Sequence, residues 1–416
     1  MSAVDEESPS STGGSSAEAS PMSVGIDVRT YSPQAGQARY LWRLGGWLGE
    51  RGHRVHLLCV RRRPDEIEDV DVPTGVRLHP LKGVSRADLR RYVAELELEV
   101  LLINPERARY LRGVHANLLR PGYGTEHYSQ KLASFRTALG HGMRRILRSM
   151  PWVLAEKRWE RAFYENTEPR PDVIANSRYM RGQILDSYEI PESRVHVIYN
   201  GIDPKEFSPE QRGRFGPVQR AEWGVPETAT CMLFLGHNFR LKGLWQMLGV
   251  VARLRREGAA DDLRLLVAGR GTGKGQNRKA RRMIEKLGLE GAVHMLGPVQ
   301  PPIRALAAAD FLVHLSWHDS FGFVVLEAMA AGIPVVTTPF AGASELVDDG
   351  ESGLLVYPGS EDEVLDAVRR LLDDDRRRAM GCAAAATAAE YTEARNFRKV
   401  EELMLATRRR TPGTVR

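Results

Sequence analysis

The chain has 416 residues, 42% apolar and 27% charged, with 59 basic side chains against 53 acidic ones for a net charge of +6. That profile predicts a globular protein of two domains, and so mild a surplus over this length argues against nucleic acid as a partner. No apolar run approaches the ~18 residues of a bilayer span, and the three cysteines, Cys59, Cys231 and Cys382, are too scattered for a disulfide framework or a zinc site and fit a reducing, cytoplasmic setting.

In chain order, Met1–Pro21 is rich in Ser, Gly, Ala and Glu and is expected to be a disordered tail (1–21) rather than a secretory signal. Val24–Val28 is a short apolar run, followed by the turn "RTYSPQAGQ". Leu41, Leu44 and Leu48 then recur at helical spacing, and Gly52 supplies a stop. "HRVHLLCV" reads as the next strand. Ser85 and Asp88 form a capping signature ahead of an apolar face of Leu89, Tyr92, Val93 and Leu96. "VLLIN" and "DVIAN" read as further buried strands. The pattern restarts after "VHVIYNGIDP", with strands expected at "CMLFLG", "LRLLVAG", "VHMLG", "FLVHLS" and "PVVTT" and a late helix at "EDEVLDAVRRLL". Such alternation predicts two doubly wound α/β units in tandem, each with a parallel sheet, joined near Asn200–Pro209. In such units ligands bind beyond the carboxyl ends of the strands, so the cleft between the units is the expected site.

Lys131 to Arg161 stands apart, with eight Lys or Arg against two Glu, interleaved with Leu139, Met143, Ile146, Leu147, Met150, Trp152 and Trp159. A basic amphipathic helix with tryptophans can lie on an anionic membrane surface. The alternative is a solvated face of a helix packed on its own domain, and both readings stay open for 136–161.

"LRLLVAGRGTGKGQN", Leu263 to Asn277, has the outline of a triphosphate-binding loop. Ala268 to Lys274 meets the spacing, but Gly275 stands where the magnesium-binding hydroxyl belongs. Asp69 and Asp71 in "EDVDVP" have the spacing of a manganese-binding pair, yet sit in a Pro- and charge-rich connection that reads as solvated loop.

The densest chemistry lies in "DFLVHLSWHDSFGFVVLEAMAAGIPVVTT", Asp310 to Thr338. A buried strand runs into the polar turn "WHDS", and a helix is expected to open at Ser320–Gly322 with Ser320 as its N-cap. The amides of Gly322, Phe323 and Val324 then face outward as a phosphate site. Glu327 falls about one turn inside, within reach of a ribose diol, and Asp319 stands eight residues before it.

"DSFGFVVLEAMAAGIPVVTT" resembles the signature of the retaining glycosyltransferases of family 4, in which two acids are separated by seven residues. The chain keeps the spacing, Phe321-Gly322, Glu327 and the run from Ala328 to Pro334, with Asp319 in place of the first Glu. "VIYNGID", "ANS", "FLGHNFRLKG", "VHMLGPV", "AGASELV" and "ESGLLV" follow in the family's order. "LRPGYGTEHY" and the basic segment are similar to the branch that glycosylates lipopolysaccharide cores and related surface glycans.

The resemblance implies the GT-B fold, two facing Rossmann-like domains with a cleft between them. Residues 22–199 would form the acceptor side and 200–391 the nucleotide-sugar side, with a helix at 392–408 packing back on the first. It implies a retaining, metal-independent hexosyltransferase acting from a nucleoside diphosphate sugar, UDP favoured, on a glycan or glycolipid hydroxyl, with no further cofactor. Residue by residue, Asp319 would hold the sugar hydroxyls, Glu327 the ribose, and Lys242 the pyrophosphate. Arg240 would stand in for a family arginine whose place His237 occupies. Gly36 would approach the donor phosphate, and His127, with His115 as competitor, would contact the donor sugar. Lys274 would be a surface lysine beside a glycine turn near the nucleotide. A non-catalytic binding protein of the same build, a nucleotide-sugar 2-epimerase, and a magnesium-dependent phosphate-loop kinase or hydrolase that depends on Lys274 are the rival readings.

Overall fold

The computed structural model describes residues 20–28, 36–59, 72–105, 111, 114–122, 151–165, 168–272 and 275–410. Among these, a first sheet comprises β1 (Ser23–Val28), β2 (Arg54–Cys59), β3 (Val76–Pro80), β4 (Val100–Ile103), β5 (Leu118–Leu119), β6 (Asp172–Ala175) and β7 (Val195–Val197). Its order is β3-β2-β1-β4-β5-β6-β7, with every pairing parallel. The helices of this half are α1 (Gly36–Glu50), α2 (Arg86–Glu95), α3 (Pro151–Glu165) and α4 (Arg178–Ser187).

The second half opens with α5 (Pro209–Glu222), β8 (Thr230–Leu235), α6 (Leu244–Arg256), β9 (Leu263–Ala268) and α7 (Gln276–Lys286). It continues through β10 (Val293–Gly297), α8 (Ile303–Ala307), β11 (Phe311–His314), α9 (Phe323–Ala330), β12 (Val335–Thr337) and β13 (Gly353–Leu355) to α10 (Glu361–Arg370) and α11 (Asp374–Ala388). This sheet runs β10-β9-β8-β11-β12-β13, again parallel throughout. Each order reverses once, between β1 and β4 and between β8 and β11, and a crevice forms where strand connections part in opposite directions.

Local chemistry accounts for the elements. Leu41, Leu44 and Leu48 are buried along one face of α1. The Ser85 hydroxyl accepts from the Asp88 amide at 3.2 Å, and Ser177 accepts from Met180 at 3.0 Å, so α2 and α4 start on side-chain caps. Gly52, at φ +87°, supplies the left-handed turn after α1. Asp69, Asp71, His127, Lys274 and the part of the basic segment from 136 to 150 lie outside the described residues; 151–161 belongs to α3. Among the described residues no helix is long and apolar enough to cross a membrane.

The last helix, α12 (Glu393–Arg410), returns to the first sheet. Its Phe397, Val400, Leu403 and Met404 share a buried cluster with Val24 and Ile26 of β1 and with Leu44 and Leu48 of α1. Polar ties secure its middle and its C-terminal end: Glu401 meets Arg51 at 2.7 Å and His53 at 2.9 Å, and Arg410 meets the buried Asp172 at 3.1 Å. A further contact joins the halves. Glu345, in the short turn Gly342–Leu346, accepts from the first amides of α4, Arg178 at 2.9 Å and Tyr179 at 2.6 Å, and from the Tyr199 hydroxyl at 2.7 Å.

Truncating the aromatic anchor of α12 tests the return helix. Phe397→Ala is expected to cost roughly 3–5 kcal/mol of stability, read as a lowered midpoint in urea; an unchanged midpoint would show that α12 does not support the first sheet.

Candidate functional site

The carboxyl ends of the strands in both sheets face a cleft of about 450 Å³. Gly36, Arg39, Arg120 and Asn200 line it from the first half, and Gly236, Lys242, His314, Asp319, Phe323 and Glu327 from the second. β11 is buried along its length and delivers His314 to the cleft wall. The turn beyond it is pinned by backbone bonds from Asp319 to the Phe340 carbonyl at 2.8 Å and from Gly342 to the Asp319 carbonyl at 3.1 Å. Ser316 braces the same turn by donating to the His318 carbonyl at 2.8 Å.

Asp319 Oδ2 accepts a hydrogen bond from Lys242 Nζ and lies 3.2 Å from His314 Nε2. Burial opposes ionisation of Asp319, but the Lys242 ammonium and the His314 hydrogen bond outweigh it and hold the carboxyl well below the usual carboxylate range. Burial, aided by the Lys242 charge, depresses the His314 imidazole, which is therefore neutral near pH 7. A neutral imidazole with Nε2 protonated donates to Asp319. The cleft lysine is thus paired with a carboxylate.

The start of α9 differs from the sequence expectation. Ser320 is not its cap: the Ser320 hydroxyl donates across the cleft to the Gly122 carbonyl at 2.7 Å, and Ser177 Oγ donates to the Ser320 carbonyl at 3.0 Å. The N-cap is Gly322 at φ +85°, which makes no side-chain cap. With no hydroxyl folded over them, the first-turn amides of Phe323 and Val324 remain available to an anion at the positive end of the helix dipole. Gly36 opens α1 on the facing wall, and a Cβ built there would lie 3.8 Å from the Phe323 ring. Two helix starts therefore approach one another across the cleft.

Glu327, one turn into α9, is buried, and its Oε1 accepts from Arg39 Nη2 at 2.7 Å. Burial raises its carboxyl against the opposing charge of Arg39. Gly236 and Gly269 also line the cleft. A Cβ on Gly269 would fall 2.0 Å from the Gly236 carbonyl, so the glycine of "VAGRG" is required where two backbones cross.

Arg240 is exposed and absent from the lining, whereas His237 on the same loop reaches it. His115 is half-buried and does not line the cleft. Arg39 and His314 were not singled out from sequence. His314, a polar residue ending an apolar strand, was a readable signal; Arg39, three residues after Gly36, carried none that pointed to Glu327, 288 positions away.

Two family models match the chain, Glycosyltransferase Family 4 over residues 35–206 and Glycosyl transferases group 1 over 217–387. A D-inositol 3-phosphate glycosyltransferase of Corynebacterium jeikeium is 29% identical over 382 residues, covering 85% of this chain and 87% of that protein. Its namesake in a Nocardioides species is 34% identical over 216 residues, covering 49% and 46% respectively. Among solved structures, WaaG, a glycosyltransferase involved in lipopolysaccharide biosynthesis, superposes with a TM-score of 0.74 at 20% identity over 92% of this chain and 99% of that one. Anabaena HepE in complex with UDP gives 0.71 at 19% identity over 92% and 100%.

The left-handed cap makes a direct prediction. A Cβ on Gly322 would lie 3.3 Å from Asp319 Oδ2 as well as straining the backbone. Gly322→Ala should cost roughly 1–2 kcal/mol, visible by calorimetry; a wild-type melting profile would show that the turn tolerates a side chain.

Proposed function

Because the chain belongs to the family 4 retaining glycosyltransferases, we propose that it moves a hexose from a UDP-sugar to a hydroxyl of a glycan or glycolipid acceptor. The observation that carries this reading is the gathering of Lys242, Asp319 and Glu327 around the uncapped start of α9 in one cleft. UDP as the donor base is supported by HepE, a structural neighbour solved with UDP and with UDP-glucose.

In this reading the second domain, 200–391, seats the donor. Its diphosphate takes the amides of Gly322, Phe323 and Val324, with Gly36 approaching from the opposite wall, and draws Lys242 away from Asp319. A cation there offsets charge building on the leaving phosphate. Asp319, released from its ion pair and still steadied by His314, holds the sugar hydroxyls. Glu327 accepts from the ribose. Acceptor and donor meet on one face of the anomeric carbon, and the leaving phosphate takes the acceptor proton while the protein fixes the geometry. His127 contacts the donor sugar from the acceptor side, 22–199, and Arg240 enters only if its loop moves inward. Asp is one methylene shorter than Glu, and a misplacement of about 1 Å costs on the order of a hundredfold in rate. We assign the His314 hydrogen bond the task of holding the shorter acid in place. The protein would work in the cytoplasm, with 136–161 as its contact to an anionic membrane surface.

One observation favours a second acceptor. The Corynebacterium relative, matched along most of both chains, is named for D-inositol 3-phosphate, so a polyol phosphate is the alternative to a glycan. Incubation of each acceptor class with UDP-sugars decides between them by the product formed.

Thermal stability against UDP, GDP, ADP and ATP, with EDTA or magnesium, tests the donor reading. A ligand at a hundred times its dissociation constant adds about 2.7 kcal/mol. The expected result is a rise with UDP in EDTA that Glu327→Ala and Lys242→Ala abolish and Lys274→Ala leaves intact. A rise with ATP and magnesium alone, lost in Lys274→Ala, would overturn it.

A further inference from the structure

The candidate donor seat includes a side chain from the opposite half of the molecule. Arg39 lies one turn into α1, and its Nη2 donates to Glu327 Oε1 at 2.7 Å. Its Nη1 is 3.7 Å from Glu206 Oε2, and its guanidinium lies 5.7 Å from the centroid of the Phe207 ring. One turn further along α1, Arg43 is gripped by Asp203 at 2.5 Å, Glu206 at 2.9 Å and Glu393 at 2.7 Å. The helix that carries Arg39 is thereby held to the crossover between the sheets and to the start of α12. Arg39 and Glu327 both line the cleft, and Glu327 Oε2 has no hydrogen-bond partner among the described residues.

We propose that Arg39 is a positioning residue for the donor: reaching across the cleft, it fixes Oε1 of Glu327 and presents Oε2 to the vicinal hydroxyls of the ribose. The proposal rests on the reading of Glu327 as the ribose contact. Two hydroxyl donors need a carboxylate with free lone pairs in a set orientation, and a bidentate-capable guanidinium supplies both orientation and charge. The charged groups facing Glu327 are Arg39 from α1 and Glu206 from the segment after β7. Glu206 acts in the same direction as burial, so Arg39 alone favours the ionised acid. Removing that charge raises the pH at which Glu327 ionises. Donor binding should then be weak at low pH and recover as pH rises, a signature that a merely structural arginine would not leave.

UDP affinity measured by calorimetry from about pH 6 to about pH 9 on the full chain tests this. Arg39→Gln is expected to weaken UDP about tenfold near pH 6 and to approach the wild type at the alkaline end. Arg39→Lys, which keeps the charge, should retain the wild-type profile with a smaller loss and raise the donor KM more than it lowers kcat. Glu327→Gln should bind weakly at every pH with no such recovery. An Arg39→Gln variant that binds like wild type, or loses affinity equally at all pH values, overturns the proposal while Glu327→Gln still weakens UDP. A Glu327→Gln variant with wild-type affinity instead overturns the donor seat itself. Should Arg39→Gln not fold, Arg39→Lys with an unchanged donor KM decides against Arg39.

Discussion

A carboxylate removed from water takes up a proton unless a cation or a set of donors meets it, and that constraint arranges the whole cleft. Asp319 and Glu327 stand on either side of the start of α9, and each is matched by a base from elsewhere in the chain, Lys242 from the loop after β8 and Arg39 from α1. The pairs differ in what they allow. Lys242 is a compact charge on a flexible stem and is free to turn to another anion. Arg39 is planar, flanked by Glu206 and Phe207, and has far less freedom to turn. One acid is therefore held by an exchangeable partner and the other by a fixed one, the difference that the proposed roles of Lys242 and Glu327 require.

Much of this arrangement was readable from the sequence because it is local. Parallel strands announce themselves as apolar runs, and nine of them were found that way. β5 has two residues and β13 has three, too few to show any period, and β3 carries Arg77 and His79 among its five. The separation of Asp319 and Glu327 was readable for the same reason, since both belong to one turn and one helix. Arg39 was not, because 288 residues separate it from Glu327 and nothing in its own neighbourhood points across a cleft. Ser320 was misassigned on residue type. A serine before a helix is usually its cap, but here the Gly122 carbonyl from the other half takes the hydroxyl first. Arg240 shows the opposite limit. Asn238 adopts φ +61°, and the loop it shapes turns Lys242 inward and leaves Arg240 exposed.

The glycines carry a different kind of information. Gly269 looked like part of a nucleotide loop, yet its requirement comes from the crossing with Gly236, before any ligand is considered. Two main chains in contact leave peptide groups, not side chains, to form that stretch of wall.

Glu345 caps α4 from the opposite half of the molecule while Ser177, the residue at the head of that helix, also bonds to Ser320. A helix start fastened at three atoms by a neighbouring domain behaves as a ball in a socket. Any motion of one half against the other that keeps these bonds must turn about that joint.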